Sequence, residues 1–316
     1  MLSLSRFPDA DLPRWAEVVR ERRTRLRELP LTGEPELFAP VAEARVKASL
    51  ERMLPVDRPA EQQALHLVSD DGFPIGWVWL GRPERGRLVV LDTSLVTPER
   101  AGDLRALVEE TAARDGVREV ELLLSPDDAT HAAWKAAGPL DLVAQRRVLP
   151  LLPGAPGPET SGLELRAMTP ESFARFIERS GREYAQTRQQ AEPHRDADQV
   201  AREAAEQLQG LLPLGSATPG QAFFDVLRDG ALAAVLWLGV EPPAAFVYEV
   251  RVEEDARGAG VGRATMQAAA AWCTGQGLSA LGLNVFASNT PARRLYESLG
   301  YQLVDEACTV SLGRPD

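Results

Sequence analysis

Two groups of residues in this chain have types and spacing that suit chemistry. The first is Val252-Glu253-Glu254-Asp255-Ala256-Arg257-Gly258-Ala259-Gly260-Val261-Gly262-Arg263. Glycine at positions 258, 260 and 262 lets the main chain approach a ligand with no Cβ in the way. The segment joins an apolar strand pattern to an Ala-rich helix pattern, so the helix's first-turn N–H groups open into the turn. Those donors and the positive end of the helix dipole suit a diphosphate. Two familiar phosphate loops do not fit. G-x-G-x-x-G needs glycine where Arg263 stands, and a Walker A loop needs Lys followed by Ser or Thr. The spacing is instead [RQ]-x-x-G-x-[GA], with Arg257, Gly260 and Gly262 on the marked positions. A glycine-rich strand-to-helix turn also occurs with no ligand, and this segment alone leaves both readings open.

The second group starts 27 residues beyond Gly262 and runs from Asn289 through Tyr296 to Gly300 and Tyr301. Asn289 follows a strand pattern and suits the N-cap of the next helix. Tyr296 lies two helical turns on, on a similar face, where its phenol looks back toward the strand end. A cap and a packed tyrosine is the plain alternative for each residue alone.

Several elements must position these groups. AAFVYEVRV at 244–252 reads as the strand before the loop, and RATMQAAAAWCTGQG at 263–277 as the helix after it. A strand at 278–286, a short helix at 292–300 and a final strand follow. Upstream come a strand at 163–168, a helix started by Thr169 and Pro170, and a second helix from 197. Strands QAFFDVL and ALAAVLWLGV are joined by Arg228-Asp229-Gly230, a hairpin signal. The first half repeats this order. WVWLG at 77–81 echoes VLWLG at 235–239, an offset of 158, while Gly138 and Gly300 stand 162 apart. The drift places a deletion of about four residues after the first half's fourth strand, where VTPERAGDL at 96–104 offers one glycine. At the later offset Trp134 replaces Tyr296, and Asp127 replaces Asn289. Segments WAEVVRERRTRLREL and VAEARVKASLERML supply the first half's opening helices.

With these elements in place, residues 163–312 resemble the GNAT superfamily of acyl-CoA-dependent N-acetyltransferases. Arg257 to Gly262 match its coenzyme A pyrophosphate loop. Asn289 to Tyr301 match its last signature, N-x-x-A-x-x-[LY]-Y-x-x-x-G-[YF], with Arg294 and Leu295 before the tyrosine. The first half resembles the same fold without its signatures. Tandem proteins of this type, mycothiol synthases among them, have a similar layout. The expected fold class is α/β (α+β), two tandem GNAT-like domains, each a mixed, mostly antiparallel sheet flanked by helices. The expected boundaries are a degenerate domain at 1–150, a Pro/Gly linker at 151–161 and an acetyltransferase domain at 162–316.

The resemblance implies roles for single residues. Main-chain groups of Val250, Arg251 and Val252 pair with the pantetheine arm, and an N–H there polarises the thioester carbonyl as an oxyanion hole does. N–H groups of Gly258, Ala259, Gly260, Val261, Gly262 and Arg263 hold the pyrophosphate, with Arg257 opening the loop and Arg263 adding charge. Asn289 binds the pantetheine or adenylate side. Tyr296 protonates the leaving thiolate. Acetyl would pass from acetyl-CoA, a co-substrate, directly to a primary amine. Glu249 is the candidate base, directly or through water, with a strand-edge ion pair as its alternative. Some family members carry glutamate where Asn284 stands here. Glu183 and Tyr184 lie on the first helix, which helps roof the acceptor pocket. Two other functions stay open: a non-catalytic acyl-CoA-binding sensor or scaffold, and mycothiol-synthase-like acetylation of a cysteinyl sugar. The acceptor is expected to be a small-molecule or peptide amine, and the chain a monomer or homodimer.

Composition narrows the field. The 316 residues suit about two domains. A net charge of -11 disfavours nucleic acid. No run approaches the roughly 18 apolar residues of a membrane span. The first residues lack a basic patch followed by an apolar core, and only Cys273 and Cys308 are cysteines, so a cytoplasmic setting is expected. Both cysteines read as core. The three histidines show no metal-ligand spacing, so no metal is expected.

Overall fold

Alternating burial along short β-branched runs sets the strands of this chain, and Ala- and Leu-rich stretches set its helices. The computed structural model describes residues 1–28, 64–81, 86–151, 162–191 and 196–313. The helix expected over 41–54 and most of the expected linker lie outside these residues.

In chain order the elements are β1 Leu2–Arg6, α1 Leu12–Glu28, β2 Leu65–Asp70, β3 Phe73–Gly81, β4 Arg87–Leu95, α2 Ala101–Arg114, β5 Glu119–Leu124, α3 Ala129–Ala136 and β6 Asp141–Pro150. They continue with β7 Leu163–Ala167, α4 Pro170–Ala191, α5 Ala197–Leu211, β8 Gln221–Arg228, β9 Ala231–Glu241, β10 Ala244–Val252, α6 Val261–Gly275, β11 Ala280–Phe286, α7 Thr290–Ser298 and β12 Gln302–Ser311. Contacts group these into two units, Met1–Pro150 with Asn284–Asp316, and Leu151–Leu283. The signature at 289–301 is therefore grouped with the first half of the sequence, and the glycine loop with the second unit.

The first unit orders its strands β1-β2-β3-β4-β5-β12-β6. Only β4 and β5 are parallel among these pairs. Helices cover both faces. Trp15 and Val19 of α1 pack on Leu65 and Trp79, while Leu104 and Val108 of α2 pack with Val78, Leu88, Leu122 and Trp134. The second unit orders its strands β11-β10-β9-β8-β7, with β10 and β11 the parallel pair. Its sheet alternates sides as a pleat must. Phe223 joins Phe176 of α4 at 5.9 Å, and its neighbour Phe224 meets Trp272 of α6 edge-on at 5.2 Å. The expected hairpin at Arg228-Asp229-Gly230 is present, with Asp229 and Gly230 at φ 52° and 79°. Both φ values are the left-handed ones that a two-residue turn between twisted strands requires.

Candidate functional site: a glycine loop, a splayed strand and a capped helix

Strand β10 ends at Val252 and the chain turns through a short 3-10 segment, Glu254–Ala256. Arg257 then folds back, its Nε donating to the carbonyl of Val252 at 3.3 Å. Gly258 and Gly260 both sit at φ 76°, and a Cβ built on either would meet no atom within 4 Å. The left-handed backbone explains why these positions hold glycine. The open space beside them is where a bound group fits. Gly260 caps α6 with no side chain of its own, and Ala264 N–H returns to its carbonyl at 3.1 Å. Helix geometry leaves the N–H groups of Val261 and Gly262, in the first turn of the helix, without intrahelical partners. A diphosphate therefore fits this turn chemically, with exposed Arg257 and Arg263 beside it. Arg228 adds a third guanidinium, donating to the carbonyl of Ala259 at 3.2 Å. Arg228 carried no sequence signal beyond flanking a hairpin, because its position depends on strand order.

The strand feeding the loop is irregular in a useful way. Parallel pairing of β10 with β11 stops at Val247 opposite Leu283. On the other edge, Val247 pairs with Leu238 and Glu249 with Trp237, so Tyr248 is an extra, bulged residue. Residues 249–252 continue to pair with β9. Their second edge has no strand partner among the described residues. Main-chain donors and acceptors of Val250, Arg251 and Val252 are thus offered along a slot that an extended ligand can enter as an added strand. Gly239 makes room for the bulge, since a Cβ there would lie 2.4 Å from Cε2 of Tyr248. The Tyr248 ring stacks on Trp237 at 4.8 Å.

Glu249 follows the bulge and lies in an ion network. Arg251 donates to it and also reaches Glu183 at 3.3 Å. Arg179 of α4 pairs with Glu183 at 2.9 Å and with Glu253 at 3.1 Å. Burial pushes the Glu249 carboxyl above its ordinary range, against the lowering effects of its polar neighbours Ser180 and Arg251. The strand ion pair considered for Glu249 is thus present, and it coexists with a raised pKa. Glu183 is brought into the same network. Tyr184 is not: its hydroxyl donates to Gln207 of α5 at 2.8 Å on an exposed face. A groove of about 520 Å³ between α4 and α5 is lined by Phe173, Ile177, Gly181, Ala201, Ala205 and Leu208, among others. This mainly apolar lining suits hydrocarbon better than a cation.

The second sequence group belongs to the first unit. Asn289 caps α7, its Oδ1 accepting from Ala292 N–H at 3.2 Å. That oxygen is committed to the helix, so any further hydrogen bond Asn289 donates comes from its amide N–H₂. Tyr296 is buried, with its ring 5.5 Å from Tyr301. Burial raises its phenol above the ordinary value, so it stays protonated at neutral pH. In the counterpart helix α3 the cap is Asp128, accepting from His131 N–H. The offset had pointed to Asp127, one residue early. Cys273 and Cys308 are buried free thiols, and burial pushes Cys273 up to about 12, so neither is a ready nucleophile. Among the described residues no acidic, His and Cys group is arranged for a metal, and no helix is long and apolar enough to cross a membrane.

Comparison with known proteins agrees with this geometry. Residues 182–301 match the model of the acetyltransferase (GNAT) family. An N-acetyltransferase of Bacillus subtilis, YycN, described as uncharacterized, is 29% identical over 148 residues, spanning 45% of this chain and 93% of its own. A mycothiol acetyltransferase of Nocardiopsis dassonvillei is 26% identical over 283 residues, covering 78% of this chain and 81% of its own. The crystal structure of a GCN5-related N-acetyltransferase from Sphaerobacter thermophilus shares the fold at a TM-score of 0.59 and 16% identity, over 99% of this chain and 96% of that one. The loop of bare main-chain donors and the splayed strand that feeds it both lie inside residues 182–301, the part of the chain that matches the acetyltransferase (GNAT) family model.

Proposed function

We propose that this acetyltransferase moves acetyl from acetyl-CoA directly to a primary amine. The observation that carries the reading is the paired left-handed glycines, Gly258 and Gly260, opening the mouth of α6 beside the unpaired edge of β10. In this reading the N–H groups from Gly258 to Arg263 hold the diphosphate, with Arg257 and Arg263 supplying charge. The main chain of Val250 to Val252 aligns the pantetheine arm and donates to the thioester carbonyl as negative charge grows there. Glu249, with its raised pKa, takes the amine proton directly or through one water. Tyr296, protonated at neutral pH, gives a proton to the departing thiolate. Asn289 adds its amide donor to the coenzyme. Glu183, already tied to Arg179 and Arg251, tunes the charge around Glu249.

The test is thiol release from acetyl-CoA over a panel of small and peptide amines. The reading expects turnover with at least one of them. Coenzyme A binding with no turnover on any panel member rejects it in favour of an acyl-CoA sensor. A second reading, acetylation of a cysteinyl sugar amine, is supported by the relative named mycothiol acetyltransferase over 78% of this chain. Including a cysteinyl glycoside in the panel separates the two. It should outpace simple amines by a wide margin if that reading holds.

A further inference from the structure

The two units share a construction that exposes what became of the first. In the first unit Trp79 pairs with Asp92 and Leu80 with Val90, so Leu91 is a bulged residue. Parallel pairing of β4 with β5 stops at Val90 opposite Leu122. Gly81 faces Leu91 as Gly239 faces Tyr248. Strand positions therefore correspond: Leu91 to Tyr248, Asp92 to Glu249, Thr93 to Val250 and Leu95 to Val252. The first unit thus has the same splay between its parallel strands, and what lies in that splay can be named.

It holds the protein's own side chains. Arg22 of α1 donates to Asp92 at 2.7 Å and to the main-chain carbonyl of Thr93 at 2.8 Å. The same guanidinium donates to Asp128 at 2.7 Å and lies 3.3 Å from Nε2 of His131. His131 Nδ1 accepts from the N–H of Ser125, just past β5, at 3.0 Å. Thr130 Oγ1 accepts from the N–H of Leu95 at 3.1 Å. Arg23 also holds Asp92, at 2.8 Å. Main-chain groups matching those offered in the second unit are thus already bonded. The carboxylate at the Glu249 position is closed in by two arginines and 4% exposed. The cavity left beside them, about 60 Å³, has room for a few waters.

We infer that Arg22, Thr130 and His131 are the resident occupants of the first unit's donor groove, so each chain takes a single coenzyme A, in its second unit. The inference rests on the donor assignment above for the second unit and stands on separate contacts for the first. Calorimetric titration of the full chain with coenzyme A is expected to give one site per chain. A Gly258→Val, Gly260→Val double variant is expected to give none. Two sites per chain, or one site surviving in the double variant, overturns the inference. Amide exchange read by mass spectrometry distinguishes the two failures. Coenzyme A should protect residues 249–263 and leave 92–95 unchanged, while 92–95 are already slow in the free protein. Thr130→Val should speed exchange at Leu95 by about tenfold, the loss of one hydrogen bond. If no coenzyme A binds at all, the proposed function falls, and the filled groove is then judged by 92–95 alone. Fast exchange there without ligand, or protection gained there with it, overturns it.

Discussion

At the residue scale, the proposed mechanism gives Tyr296 and Glu249 opposite duties, and burial raises both of their pKa values. For a proton donor that is no obstacle, since the phenol need release its proton only as the thiolate forms. Tyr296→Phe should lower turnover by at least about tenfold while leaving coenzyme A binding within a small factor. Unchanged turnover removes Tyr296 from the mechanism. For a base the shift sets a pH limb. Glu249 accepts a proton only when ionised, and its pKa lies above the ordinary 4.5. The rate constant kcat/KM should therefore rise with pH through an apparent value above 4.5. Glu249→Gln should flatten that limb and cost about 10²- to 10⁴-fold. A limb that persists in the Gln variant assigns it to another group. The sequence named both residues, because each stands beside a motif of fixed spacing. It did not reveal Arg228, whose contact with the loop depends on strand order, whereas the Asn289 cap was legible from its place just before the helix.

At the element scale the bulge in β10 decides where the strand opens. Bulges were not legible, since two-residue alternation continues in the sequence through FVYEV while the register slips by one. Gly239→Ala tests the element directly. The added methyl would drive Tyr248 from its place on Trp237 and remove a stacking term of about 0.5–1.5 kcal/mol. Thermal melting and tryptophan fluorescence read that loss. An unshifted Tm with unchanged fluorescence would mean the ring is not held there. In the first unit the equivalent opening is closed by buried charge. Arg22→Ala leaves Asp92 and Asp128 without their shared partner and should cost about 3–5 kcal/mol in denaturant unfolding. A loss under 1 kcal/mol would contradict burial of that pair. Burial also holds His131 below its ordinary 6.5, so the folded unit binds fewer protons than the unfolded chain. Stability is then complete above about pH 6.5 and falls as pH drops through the lower folded value. Tm against pH should slope down below about 6.5, and His131→Gln should lessen the slope.

At the scale of the whole molecule, repetition was legible because tryptophans, glycines and strand patterns recur at nearly constant offsets. Grouping was not. A strand pattern states which face is apolar and not which strand lies beside it. Strand β12 is read as the last strand of the second half, yet it pairs with β5 and β6 of the first. The opening strand β1 was missed for a related reason: five residues at a sheet edge carry too little alternation to stand out. Net charge sharpens the question of the donor. A chain at -11 repels a polyanion overall, so the proposed function needs donors concentrated at one place to hold a diphosphate, and assigns that to the turn at 257–263. Titration of coenzyme A against pantetheine, which lacks the diphosphate and the 3′-phosphoadenosine beyond it, bounds that hold, and the Gly260→Val variant reads the share that belongs to the turn. The full coenzyme should bind at least about tenfold more tightly, and Gly260→Val should bring it down to the pantetheine value. Equal affinities for the two ligands in the unaltered protein would contradict the account.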